Sequence, residues 1–178
     1  GDLDTCYTNW NAITTTTTTA SSNSSCPSHK DCRFFLDERR RYTCVLEKVD
    51  LVLTSIGGVH DVGFSNSDVT RVYFIDSELA NVPRAVFDSF ANVEFLSVAE
   101  SHLTVVNDDT FEVCGSKLKK LDACKNQITR IYETSLKKCS ALEWLDLTGN
   151  QVEDLDRNLF QLDPTLQHVI FNRRLPDL

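Results

Sequence analysis

Seven cysteines, four histidines and a scatter of aromatic side chains are the groups in this 178-residue sequence that could do chemistry. Cys6, Cys26, Cys32, Cys44, Cys114, Cys124 and Cys139 are many for a cytosolic protein of this size, and oxidised pairs need a secretory compartment. Seven is odd, so one thiol is left either free or available to another chain. The segment Cys26-Pro27-Ser28-His29-Lys30-Asp31-Cys32 has the flavour of a zinc loop, but a structural site needs four tightly spaced ligands. Disulfides account for these cysteines with less, and no metal is expected. His29, His60, His102 and His168 fall in unrelated contexts, none in a recognisable motif with a Ser or Cys nucleophile. Asp108-Asp109 suits a turn or a helix start, and six glycines leave no phosphate-cradling loop. The expected chemistry is cross-linking and binding, with no catalysis and no cofactor.

Composition narrows the partners. With 41% hydrophobic and 25% charged residues the balance is that of a folded chain. A net charge of −8 disfavours nucleic acid, because phosphate binding needs an excess of Lys and Arg. It equally disfavours docking on an anionic bilayer, and no apolar run approaches the ~20 residues of a membrane span. The sequence opens at Gly1-Asp2 and contains no Met, as a mature secreted chain would after signal removal, or a chain trimmed to the same point. Asn23-Ser24-Ser25 is a glycosylation sequon within a Thr/Ser-rich stretch. The expected location is extracellular.

Positioning must come from an internal repeat. Residues 142–152 place Leu142, Leu145, Leu147, Asn150 and Val152 in the pattern LxxLxLxxNxL. The same frame fits Leu118, Leu121, Ala123, Asn126 and Ile128, then Val93, Leu96, Val98, Ser101 and Leu103, then Val69, Val72, Phe74, Ser77 and Leu79. Weaker copies start at Leu46, with Val49, Leu51, Thr54 and Ile56, and at Leu166, with Val169 and Phe171. Successive starts are 23 to 25 residues apart. Position 14 adds Val59, Val82, Val106, Ile131 and Leu155, and position 18 adds Phe64, Phe87, Phe111, Leu136 and Phe160. Each unit reads as a strand, a turn and an irregular or briefly helical return that cannot bury its apolar side alone. Stacked at about 4.8 Å, the units form one continuous core. Position 9 favours Asn because its side chain can bond backbone groups left unpaired at the strand end. It holds Thr54, Ser77, Ser101, Asn126, Asn150 and Arg174, so the last rung is expected to be irregular.

Alternation along a strand then sorts the faces. Positions 4 and 6 enter the core, while 3 and 5 look outward from the concave sheet. Position 3 carries Lys48, Arg71, Phe95, Lys120, Trp144 and His168; position 5 carries Asp50, Tyr73, Ser97, Asp122, Asp146 and Ile170. Arg71, Tyr73, Phe95, Lys120, Asp122, Trp144, Asp146 and His168 are the candidate ligand contacts, since aromatic and Arg side chains concentrate binding energy. Asp122, Glu143, Asp146, Glu153, Asp154 and Asp156 make the later rungs acidic, as a solvated face or a field that steers a basic partner. Cys114 and Cys139 share position 22 and should lie above one another, which favours a bridge over two reduced core thiols. Cys124, at position 7, is the spare: an intermolecular or a sheltered free thiol.

Residues 46–178 resemble the extracellular leucine-rich-repeat class, most clearly at 118–128 and 142–152, and Val82-Pro83-Arg84-Ala85-Val86-Phe87 looks like the LPxxxF turn of Toll-type and other animal receptors. Degenerate repeats, a Thr/Ser-rich cysteine-bearing N-terminal region and a spare cysteine make the chain most similar to insect secreted leucine-rich proteins, including mosquito leucine-rich immune proteins. The resemblance implies an α/β leucine-rich-repeat solenoid of about six rungs over 46–178, with residues 1–45 as a disulfide-linked cap. Four cap cysteines allow three pairings; the class's usual order implies Cys6–Cys32 and Cys26–Cys44. It also implies a recognition protein binding a protein or pathogen-surface ligand, in a homo- or hetero-oligomer. A receptor or adhesion ectodomain and a secreted enzyme inhibitor are the competing readings.

Overall fold

The computed structural model describes residues 28–104, 114–132, 134, 136–153, 155, 158, 159 and 165–171. Asn23, the Thr/Ser-rich stretch, Cys6, Cys26, Val106, Asp108, Asp109, Phe111, Asp154, Asp156, Phe160 and Arg174 lie outside them.

Six parallel strands stack in one sheet: β3 (Tyr42–Glu47), β6 (Val69–Ile75), β8 (Phe95–Ser97), β9 (Lys120–Asp122), β10 (Trp144–Asp146) and β11 (His168–Ile170). Their register puts Val72, Leu96, Leu121, Leu145 and Val169 in one column, because each strand turns its alternate side chains to the same side. Val72, Leu96 and Leu121 are fully buried and Leu145 is 1% exposed. Leu118, Leu142, Ile128 and Leu136 close the same core from the turns and returns. The fold is a leucine-rich-repeat solenoid. On the return of the second rung, helix α1 (Arg84–Ser89) buries Ala85 and Val86, and the ring of Phe87 packs where any side chain at Gly115 would strike it.

The first rung differs from its expected frame. Tyr42, Cys44 and Leu46 pair with Val69, Val72 and Phe74, so Leu46 occupies position 6 rather than position 1, and Cys44 serves as the position-4 core residue. A bulge between Tyr42 and Thr43 absorbs the mismatch. The 45/46 boundary between cap and repeats therefore falls inside β3. Thr43 and Val45, not Lys48 and Asp50, take the outward positions 3 and 5, and Val49 replaces Thr54 at position 9. Asp50 and Leu51 form the short strand β4, paired with β7 (Glu78–Leu79). Val59, expected in the core, is 92% exposed. Its loop is anchored by its neighbours instead: His60 stacks on Phe34 at 4.0 Å and bonds Tyr42 Oη and Asn66 Oδ1, while Asp61 N donates to Tyr42 Oη.

Strand β2 (Arg33–Leu36) pairs antiparallel with β3 and covers what would otherwise be an open sheet edge. Rings of Phe34, Tyr42, Phe64 and Phe90 plug the core beneath it. The β2–β3 hairpin also brings Cys32 to 5.3 Å (Cα–Cα) from Cys44, and these two are bridged. That pairing overturns both expected cap bridges, Cys6–Cys32 and Cys26–Cys44: the hairpin makes partners of residues only 12 apart. Cys114 and Cys139 are bridged at a Cα separation of 4.9 Å, as the stacking of position 22 favours.

Candidate functional site

The sheet lays out two outward rows. Thr43, Arg71, Phe95, Lys120, Trp144 and His168 share one register line, and Val45, Tyr73, Ser97, Asp122, Asp146 and Ile170 share the other. The eight residues singled out as ligand contacts all lie on these lines. They do not form one uniform surface.

At the N-terminal end, three of them are committed to each other. The Arg71 guanidinium lies 3.9 Å over the Phe95 ring and donates to Tyr73 Oη through Nη2 at 2.6 Å. Tyr73 and Phe95 rings meet at 5.3 Å. Arg71 Nε is also 3.9 Å from Asp37 Oδ2, and its side chain is only 14% exposed. Asp37 sits at the hairpin turn before Arg41. The Arg41 side chain and the backbone N–H groups of Arg39 and Arg41 donate to its carboxylate, which lowers its pKa to about 2 and keeps it charged. Arg71 thus organises an aromatic cluster and is not a free arm. Asp37 was missed in the sequence because nothing in its spacing links a hairpin turn to a residue 34 positions later.

Toward the middle of the sheet, the position-5 row does structural work. Asp122 Oδ1 accepts from Cys124 N, and Asp146 Oδ1 accepts from Thr148 N. Each aspartate closes the turn where its strand ends. Asp122 Oδ2 also accepts from Ser97 Oγ at 3.1 Å. Lys120 and His168 are exposed, and Trp144 stands partly exposed between them on the same line.

Cys124 is the free thiol among the described cysteines. Burial first, then its hydrogen bond to and the charge of Asp122, push its pKa up from 9.0 to about 12. At neutral pH it therefore stays protonated, and the thiolate that attacks disulfides is scarce. Native protein should alkylate with iodoacetamide at pH 8 at least ~10-fold more slowly than the urea-unfolded chain, because the loss of thiolate outweighs the gain in nucleophilicity. Equal rates would show that the thiol is neither sheltered nor paired with Asp122.

One histidine does meet a serine. His29 Nδ1 lies 2.9 Å from Ser55 Oγ, and His29 Nε2 lies 3.0 Å from Asp31 Oδ1. The trio sits on the two-stranded pair β1 (His29–Asp31) and β5 (Ser55–Gly57). His29 and Asp31 side chains are 56% and 71% exposed, so water screens the charges that a catalytic triad needs concentrated. A Cβ at Gly57 would come within 2.9 Å of the imidazole and 2.8 Å of Asp31 Oδ1. Glycine there makes room for a clasp that holds β1 to β5.

The leucine-rich-repeat family pattern matches residues 91–152. Among solved structures, the mosquito LRIM1/APL1C complex aligns with 79% of this chain at a TM-score of 0.58 and 21% identity. The leucine-rich-repeat domain of APL1 aligns with 82% at 0.51 and 17%. The chain spans 26% and 42% of those two chains. At such identity the likeness is one of fold alone.

Proposed function

We propose that this chain is a secreted recognition module of innate immunity that binds a protein or pathogen-surface ligand across its concave sheet. The observation that carries the reading is the outward line Lys120–Trp144–His168, flanked by Asp122 and Asp146. There a large aromatic side chain stands partly exposed on a rigid parallel sheet, with no hydrogen-bonding or ring partner among the described residues. Burial of such an anchor by a partner is what concentrates binding energy, while the surrounding charges select orientation. The two disulfides suit an oxidising compartment, and a partner chain is in keeping with the likeness to a protein that was crystallised as a complex.

The test compares immobilised protein with its Lys120→Ala/Trp144→Ala variant against secreted proteins and microbial surfaces. A ligand retained by the parent and lost at least ~10-fold by the variant, at an unchanged unfolding midpoint, is the expected result. Equal retention by both would move the binding surface off this sheet.

A further inference from the structure

Beside the two outward rows, at the C-terminal ends of β6, β8 and β9, the surface sinks into a groove of about 790 Å³. Side-chain size explains it. The third rung carries only Ser97 and Ala99 at positions 5 and 7, between Tyr73 and Ile75 of the second rung and Lys125, Asn126 and Gln127 of the fourth. Small residues on one rung between bulky neighbours leave a trough running across the strand ends. Its volume lies within the range of sites that enclose a ligand group.

The walls have a definite character. Tyr73 and Ile75 provide apolar surface, and Ile75 is 41% exposed. Asp76, Glu78 and Glu100 line the same groove. Lys125 Nζ bonds Glu100 Oε1 at 2.9 Å, so the one lysine on the wall is already neutralised by that carboxylate. Asp76 and Glu78 make no ion pair among the described residues. A trough with an apolar wall and two uncompensated carboxylates, in a chain of net charge −8, complements a cation carried on an extended backbone.

We propose that this groove receives an extended, basic segment of a protein partner, with an arginine or lysine head between Asp76 and Glu78 and an apolar neighbour against Ile75 and Ala99. The assignment rests on the concave-sheet reading above and gives that partner a chemistry. It also separates two jobs: Trp144 anchors on the open sheet, and the groove reads charge at the strand ends.

Fluorescence anisotropy with a labelled short peptide of alternating leucine and arginine tests it, beside the same peptide with glutamate for arginine. The arginine peptide is expected to bind and the glutamate peptide not to. Raising salt from about 50 to about 500 mM should weaken binding, since these carboxylates are exposed and screened. Asp76→Asn/Glu78→Gln should weaken it roughly 10-fold, and Ala99→Trp should fill the trough and abolish it. The paired amide variant keeps the test valid should Ala99→Trp disturb folding. Equal affinity for the two peptides, or indifference to the amide variant, overturns the assignment. Loss on Trp144→Ala as large as on the amide variant also overturns it, because the peptide would then sit on the open sheet, whose role would stand.

Discussion

Replacing Asn126 with alanine is expected to destabilise the protein by about 2–6 kcal/mol, because it strands several buried backbone groups at once. Asn126 is 6% exposed. Its Oδ1 accepts from Ser101 N and Leu103 N, and its Nδ2 donates to the carbonyls of Val98, Ala123 and Cys124. Two N–H groups lose their acceptor in the alanine variant, and each buried unpaired group costs about 1–3 kcal/mol. Asn126→Asp should be as damaging, since it places carboxylate oxygens against three carbonyls. Urea unfolding at pH 7 measures both. A loss under about 1 kcal/mol in either would mean that water replaces the side chain, and that the asparagine ladder is not what ties the third rung to the fourth.

Truncating Leu145 to alanine should cost about 2–5 kcal/mol, as large-to-small changes in a close-packed core do. Leu145 is 1% exposed and stands in register between Leu121 and Val169. The comparison that gives this test its force is Val59→Ala, which should leave stability within about 0.5 kcal/mol, the usual range for a surface site. Both residues are apolar and both fall on core positions of the repeat frame. Only the three-dimensional register separates them. Similar losses at the two sites would contradict the placement of the first rung.

Most of the solenoid follows from periodicity. Among the described residues from Val69 onward, the apolar columns, the outward rows and the Asn positions fall where a 23-to-25-residue frame puts them, because each rung must offer the same face to its neighbours to bury anything. The first rung escaped the frame for a specific reason. Its strand is Tyr42-Thr43-Cys44-Val45-Leu46-Glu47, with an alternation of Tyr, Cys and Leu that is legible once cysteine is counted as apolar. The later run of Leu46, Val49 and Leu51 imitates the repeat more closely, and simple pattern matching prefers it. Position 8 of the first five rungs carries another signal that residue types conceal. Lys48, Asp76, Glu100, Lys125 and Gly149 all have positive φ, between 47° and 76°. Only the last is a glycine; the others hold a left-handed turn that the stacked backbone imposes.

The eight proposed contact residues divide along the same line. Their alternation, and hence their presence on one face, is a property of strand geometry that sequence carries by itself. Their availability is not. Arg71 reads as an exposed charge until the hairpin turn sets Asp37 beside it and stacking lays it on Phe95. Asp122 and Asp146 read as a free acidic surface until the turn after each strand directs a backbone N–H at them. What the sequence determined was the repeat, the core columns and the orientation of each strand residue, because these depend on spacing along one chain. What tertiary structure alone decided was the cap bridge Cys32–Cys44, the commitment of Arg71 and the trough over Ser97 and Ala99, because these depend on which residues meet across rungs.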